Sequence, residues 1–370
     1  MSLESESSVK IPGLYIYNSE KPVSVGVDLG TSAIKIVNPL TQERLRILSC
    51  VGELPEARPP TPLAKRENVL ENLVYKGEER QFLVGEAAKT FSPGARWVMY
   101  RGFASMADFD YAVDAIKACL AALTPFKRKR ERLEVNLIIG VPATFDIKYA
   151  KALKKKLFED SPHNFSIQNY LTEEEKQVTL AVKDMQIWYQ SFGSLYSYCV
   201  RNNEVDFSGT VIDIGFGLTN VVAFESLMPI RSACVTIPRA VGDIALYVRE
   251  SLIRRGGGTD IPGVFTLGEI LKDPDPVLRS RTLGTVRLRE EREKASLFVG
   301  QELWRETSFY VDKVLGSPAS SKLIITGGGG SANFLGEYLR GAYSNLDVKV
   351  VGDIFSNADG LMLGAKDVWG

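Results

Sequence analysis

The chain has 370 residues, 45% hydrophobic and 24% charged, an ordinary globular composition with length enough for two domains. Lys and Arg number 45 against 45 Asp and Glu, so no basic surplus points to nucleic acid or to an anionic membrane, and self-association meets little net repulsion. No apolar run approaches the ~18 residues of a membrane-spanning helix, and polar Met1 to Lys10 reads as a disordered lead rather than a signal peptide, so a cytoplasmic protein is expected.

Val23 to Gly30 reads as a strand ending in a turn, and Ala33 to Val37 resumes as the second strand of a hairpin. Residues 51–66 are rich in Pro and polar groups and have no periodicity, while Tyr75 to Val84 gives two short strands. Phe109 to Leu123 has helical spacing of apolar residues, and the basic run Lys127-Arg128-Lys129-Arg130 after it reads as a solvated loop. Val135 to Val141 is a continuous apolar run closed by Pro142, the mark of a buried strand. Helices are expected over Asp146 to Phe158, Gln186 to Tyr198, Val241 to Arg254, Thr285 to Leu315 and Asn357 to Asp367. Buried strands are expected over Thr210 to Ile214 and Leu323 to Thr326. Cys50, Cys119, Cys199 and Cys234 lie far apart with no CxxC pair and read as reduced, partly buried thiols. The one histidine, His163 in Ser-Pro-His-Asn, reads as a surface-loop residue, which argues against histidine metal sites and Ser/His/Asp catalysis.

Three turns carry the chemistry. In Asp28-Leu29-Gly30-Thr31-Ser32-Ala33-Ile34-Lys35, Gly30 permits close backbone approach and the following N–H groups can wrap an anion. Thr31 and Ser32 add hydroxyl donors, Lys35 on the returning strand can reach a phosphate, and Asp28 suits a hydrated cation such as Mg²⁺. An ordinary Asp-Gly turn would look the same. The design recurs at Val211 to Asn220, with Asp213 at a strand end followed by Gly215, Gly217 and Thr219. This loose repeat fits a duplicated α/β domain, and two facing hairpins can hold a polyphosphate from both sides. The third turn, Thr326 into Gly327-Gly328-Gly329-Gly330-Ser331, is either a flexible turn or bare backbone for a flat or charged ligand. None of the three is a Walker or Rossmann motif.

In this order and separation the turns resemble the actin, sugar-kinase and heat-shock-chaperone ATPase superfamily over about residues 21–367, with its two phosphate loops and an adenosine loop. Asp28 to Lys35 and Asp213 to Thr219 look like the actin loops; Gln190 to Tyr196 is similar to the helix whose glutamine orients the attacking water; Val241 to Gly256 resembles actin's helix after the second loop. The tail Asn357 to Gly364 and the segment Ile139 to Ala143 look instead like ParM-type plasmid-segregation proteins and archaeal actin homologues. Phe216 stands where eukaryotic actin has an acid, which places metal coordination on Asp28 and Asp213, and the helix around Glu291 to Lys294 is the candidate for adenine contact.

The resemblance implies an α/β, actin-like (ribonuclease H-like, duplicated) fold. Lobe I would span 21–205 with a small inserted subdomain at about 50–95, completed by 350–370. Lobe II would span 206–349 with a small subdomain at about 255–310. It implies ATP or GTP with Mg²⁺ in the cleft and slow hydrolysis, with Gln190 holding the water and Asp213 orienting it or the metal's water shell. Filament assembly through the small subdomains would follow nucleotide state, serving plasmid or DNA segregation through a DNA-binding adaptor, with no direct nucleic-acid or membrane contact. The alternatives are a sugar-type kinase, a chaperone-like ATPase, and a cell-shape or organelle-positioning filament.

Overall fold

The computed structural model describes residues 21–39, 41–56, 72–99, 105–124, 130–314, 316–317, 321–330 and 335–370. Met1 to Lys10, most of the Pro-rich stretch, Lys127 to Lys129 of the basic run and Ser331 lie outside the described residues.

The first half runs β1 (Val23–Leu29), β2 (Ala33–Val37), β3 (Arg44–Leu48), β4 (Cys50–Gly52), β5 (Leu73–Lys76), β6 (Gln81–Val84), α1 (Glu86–Phe91) and β7 (Arg96–Trp97). It continues with α2 (Met106–Ala121), β8 (Arg130–Val141), α3 (Ile147–Lys154), β9 (His163–Asn169), β10 (Glu175–Tyr189) and α4 (Gln190–Asn202). The second half runs β11 (Gly209–Ile214), β12 (Thr219–Glu225), β13 (Met228–Ile237), α5 (Val241–Leu252), α6 (Val264–Ile270), β14 (Val277–Ser280), β15 (Gly284–Arg287) and α7 (Arg289–Asp312). It ends with β16 (Lys322–Thr326), α8 (Gly327–Gly330), α9 (Leu335–Ala342), β17 (Asp347–Val350) and α10 (Ser356–Trp369).

Among the described residues one sheet has ten strands in the order β3-β2-β1-β8-β10-β9-β5-β6-β4-β7, and a second has five in the order β13-β12-β11-β16-β17. Both contain the same unit: an antiparallel three-strand meander whose first strand pairs in parallel with a fourth, which pairs in parallel with a fifth. The duplication expected from the repeated turns is therefore present as topology, in an α/β fold. The parallel central strands read as apolar runs because both faces are covered: every residue of β1 and β11 is buried. Each sheet has its own core, the first joined by α2 and the second by α5, α7 and α9. Helices α4 and α10 pack on each other, and α10 also covers β1 and β8.

One end strand of the ten-stranded sheet, β3, is joined by one residue to β4, which lies next to the other end strand, β7. β3 stops at Leu48 and β4 starts at Cys50. Between them Ser49, 1% exposed, donates its N–H to the Ser32 carbonyl at 3.0 Å and accepts from the Val98 N–H at 3.1 Å.

Several boundaries differ from the sequence expectation. Gln186 to Tyr189 is strand, paired in parallel with β8, so α4 begins at Gln190; the β-branched and aromatic Ile187, Trp188 and Tyr189 favour the ladder. Thr285 to Arg287 forms a hairpin with β14 through Gly284, whose φ of 70° turns the chain, and α7 spans only Arg289–Asp312. The glycine run is a short helical turn rather than open loop. His163 opens β9 and its Nε2 lies 3.0 Å from the Leu157 carbonyl; burial pushes its pKa down. Cys50, Cys119 and Cys199 are buried and Cys234 half-buried, all four as free thiols. Among the described residues no helix is long and apolar enough to cross a membrane.

One buried cation escaped the sequence reading. Lys176 in β10 is fully buried, and its Nζ donates to the Ala121 and Thr124 carbonyls at 2.8 and 2.7 Å and to Thr124 Oγ1 at 2.6 Å. It thereby closes the C-terminal end of α2, where unsatisfied carbonyls and the helix dipole favour a cation. Burial pushes its pKa down to about 8 despite Glu131 at 3.6 Å. Between the folded value and the unfolded one near 10.5, the unfolded chain binds the extra proton, so this group adds stability as pH rises through that window. Lys176→Met should lose that increment, an upper bound of about 3 kcal/mol, while leaving an unsatisfied helix end. Chemical denaturation of both proteins at pH 7.5 and pH 10 checks it: the gap between them should widen at the higher pH.

Candidate functional site

Both repeated turns point into the space between the two sheets. In the β1–β2 hairpin Asp28 and Lys35 are direct cross-strand partners, and Lys35 Nζ meets Asp28 Oδ2 at 2.6 Å with the carboxylate fully buried. The other oxygen, Oδ1, accepts from Gln190 Nε2 at 2.8 Å, and that amide also donates to the Leu29 carbonyl at 2.8 Å. Gln190 is the first residue of α4, so the strand-to-helix change after β10 is what delivers it to the end of β1.

Asn220, the cross-strand partner of Asp213, fixes the glutamine from the other side. Its Oδ1 accepts from the Ala143 N–H at 3.0 Å and from Thr236 Oγ1 at 2.9 Å. Its Nδ2 is thereby left to face Gln190 Oε1, at 3.3 Å. With both ends satisfied, the orientation of the Gln190 amide follows from the network.

Asp213, the last residue but one of β11, is buried. Asn357 at the start of α10 donates to its Oδ2 at 2.9 Å. Asn357 Oδ1 in turn accepts from Ser194 Oγ at 2.5 Å, whose hydroxyl accepts from Thr326 Oγ1 at 3.1 Å. Burial pushes the Asp213 pKa up to about 6; Asp28 adds to the rise, while Asn357 and Lys35 oppose it. Gly327, at φ 83°, passes so close that any Cβ there would collide with Asp213 Oδ1.

The two turns touch directly: the Gly217 N–H donates to Thr31 Oγ1 at 3.1 Å. A narrow cavity of 40 Å³ lies among them. The first turn lines it with Asp28, Gly30, Thr31, Ser32 and Lys35, the second with Asp213, Gly215 and Asn220, and Gln190, Gly327, Gly328 and Asn357 complete the wall. Gly329 lines an adjoining space of 70 Å³ beside Ser32, Lys35 and Gly328. The structure thus gathers all but two of the expected site residues around these two spaces. Gly217 serves through its contact with Thr31, and the Thr219 hydroxyl is committed to the Arg239 carbonyl at 2.7 Å. Glu291 and Lys294 lie on α7, pair with Arg255 and Glu290, and line neither space. A larger hollow of 510 Å³ lies elsewhere, around Lys76, Arg130, Asn164 and Gln177; volume alone does not mark the convergent charges.

Asn220, Asn357, Ser194 and Ser49, whose Oγ donates to the Gly30 carbonyl at 2.7 Å, were not anticipated. The signal for Asn220 was present, since it lies one residue past the second turn's hydroxyl; the others arrive through tertiary packing. Two buried carboxylates with one lysine leave the site short of positive charge. Among the described residues no group of three or more His, Cys, Asp or Glu makes a metal cage. The donor set therefore fits Mg²⁺ held by one or two carboxylates with waters and substrate oxygens, rather than an all-protein site.

Comparison with known proteins agrees with this geometry. Residues 26–193 match the family model described as the N-terminal domain of actin-like proteins. No curated protein matches the sequence. Among solved structures, a ParM from a 15-stranded filament of Clostridium botulinum superposes with a TM-score of 0.71 at 18% identity, covering 94% of this chain and 99% of that one. Bacillus thuringiensis ParM with ATP gives 0.65 at 13% identity, covering 94% and 99%. The archaeal actin homologue Ta0583 in complex with ADP gives 0.67 at 16%, covering 93% and 99%. The chain therefore has an actin-like fold over the 94% that superposes, and its segment 26–193 is matched by the N-terminal domain of actin-like proteins.

Proposed function

We propose that this protein is a slow, Mg²⁺-dependent ATPase, also open to GTP, that assembles into filaments while nucleotide is bound, and that the filament segregates plasmid or other DNA through an adaptor. The observation that carries the reading is the meeting of the two turns at Thr31 and Gly217, with Asp28, Lys35, Asp213 and Gln190 around the junction. Phosphoryl transfer asks a protein for positioning and neutralisation more than for covalent chemistry. Lys35 and the backbone N–H groups of both turns would neutralise phosphate oxygens. Bound Mg²⁺, held through Asp28 and Asp213, supplies further positive charge. Gln190, its Nε2 fixed on Asp28, has the second lone pair of Oε1, beside the Asn220 bond, to hold a water's hydrogen in line; an amide is too weak a base to deprotonate that water, which fits slow turnover. The glycines at 327–329 would lie against the nucleoside.

We assign lobe I to 21–205 with the return of 350–370, and lobe II to 206–349. Nucleotide contact with both would set the angle between them and so whether successive subunits fit, by differential affinity for the two shapes. Head-to-tail contacts at about 50–95 and 255–310 would extend without closing. Supporting the second surface, α7 exposes Leu297, Phe298, Trp304 and Phe309, the last 59% accessible. The similar filament-forming and ATP- or ADP-bound structures support the same reading.

Asp28→Ala should weaken Mg²⁺-nucleotide binding by at least about tenfold, since it removes a metal carboxylate and the partner that positions Lys35; unchanged affinity by calorimetry would remove the site. Gln190→Ala should bind ATP normally yet release phosphate about a hundredfold more slowly; wild-type release would assign the water to another group. Sedimentation and electron microscopy with ATP or a non-hydrolysable analogue should show polymer above a critical concentration, and Phe309→Glu should raise that concentration with nucleotide binding unchanged. Monomers under all salt and protein concentrations would end the filament reading and direct attention to small-molecule kinase activity.

A further inference from the structure

Phe216, the residue between the two glycines of the second turn, is half-buried in a seat made for a ring. Its carbonyl accepts from the Gly242 N–H at 2.6 Å, which ties the turn to the first residues of α5. Its ring lies against Gly242 and against Gly268 of α6. A Cβ at Gly242 would stand 3.1 Å from Phe216 Cε1, and one at Gly268 would stand 2.6 Å from Cε2. A side chain at Gly268 would push the ring out, and one at Gly242 would crowd the ring and collide with the Phe216 carbonyl at 2.7 Å. The ring then stacks on Phe265 of α6, centroids 4.6 Å apart and planes 20° apart. Phe265 stacks in turn on Trp97, at 3.4 Å and 7°.

Trp97 belongs to the other sheet. It lies on β7, where it pairs with Cys50 of β4. The three rings therefore run from the second phosphate turn, through α6, to the far edge of the ten-stranded sheet. One ion pair runs beside them across the same gap, Arg46 of β3 to Glu269 of α6 at 3.1 Å. Trp97, Phe265 and the ion pair border a hollow of 210 Å³ that Ser32 of the first turn also lines.

We infer that Trp97, Phe265 and Phe216 form a clasp across the mouth of the cleft, which holds the two halves together and makes Phe216 a positioning residue for the second turn. This rests on the nucleotide reading of the cleft for its consequence but not for its geometry. Closing the stack holds the Phe216 backbone, and with it the adjoining Gly217 N–H, against Thr31; parting it frees the turn and opens the hollow beside Ser32. The clasp is apolar and needs no ligand to form, so the closed shape is favoured before nucleotide arrives, and release of nucleotide requires the rings to part. A bulky apolar residue in place of an acid in this turn then has a positive role: it trades a metal-shell group for a hinge latch.

The test uses the full chain with Trp97→Ala, Trp97→Phe and Phe265→Ala, each shown to unfold cooperatively. Two quantities are read: the radius of gyration without nucleotide by small-angle X-ray scattering, and the release rate of a fluorescent N-methylanthraniloyl-ATP with Mg²⁺. Both alanine variants should have a larger radius and release the analogue about tenfold faster, the double variant should be no faster than either single, and Trp97→Phe should stay near wild type. Wild-type radius and release in both alanine variants would overturn the clasp. An expanded variant with wild-type release would overturn its link to the turns, and Trp97→Phe behaving as Trp97→Ala would overturn ring stacking as the cause. Should wild type take up no analogue, the nucleotide reading fails, and the radius alone decides the clasp.

Discussion

Two carboxylates brought from different sheets to one buried place are the constraint around which the rest is arranged. Desolvating an acid is costly unless its oxygens find strong donors. Asp28 finds a lysine directly across its hairpin and the amide of Gln190. Asp213 has the neutral amide of Asn357 as its donor from α10, and its affinity for a proton rises accordingly. The asymmetry makes one half of the junction settled and the other half hungry for positive charge. A cation arriving with phosphate oxygens resolves both the repulsion and the shortfall, which is why the junction suits a ligand that brings its own metal.

Much of this was legible in sequence because it was written in local code. Strands β1 and β11 are apolar runs with an acid one residue before their end and a glycine two residues after that acid, and a buried parallel strand leaves few other readings. The same pattern twice suggested duplication, and the two strand orders bear it out. Errors fell where tertiary pairing overrode periodicity. Ile187 to Tyr189 continue a ladder with β8, and Val286 pairs with Leu278 in a hairpin rather than starting α7. Partners far apart in the chain were invisible for a simpler reason: nothing local to Asn357 announces that its amide reaches an acid 144 residues away. Phe216 had been legible only as the loss of an acid; the glycines that receive its ring sit 26 and 52 positions on, at Gly242 and Gly268.

Repeated architecture also explains how one chain supplies opposite needs at a single junction. Each half contributes a hairpin whose first strand carries the acid, yet the residue across the hairpin is lysine in one and asparagine in the other. The first half therefore brings charge, and the second brings an amide that holds Gln190. Divergence at one cross-strand position is enough to turn two similar units into complementary ones, with no change in backbone plan.

Ser49 gives the ten-stranded sheet a link between its end strand β3 and β4, next to the opposite end strand. Because this single residue is the seam between β3 and β4 and is bonded to Gly30, Ser32 and Val98 at once, the rim strands and the first turn share a bearing. Ser49 alone lies between β4 and β3, and its contacts place β4 and β7 one residue from the first turn. Linkage then makes the traffic equal in both directions: whatever free energy a filled turn lends to a contact at the rim, the contact at the rim lends back to the filling of the turn.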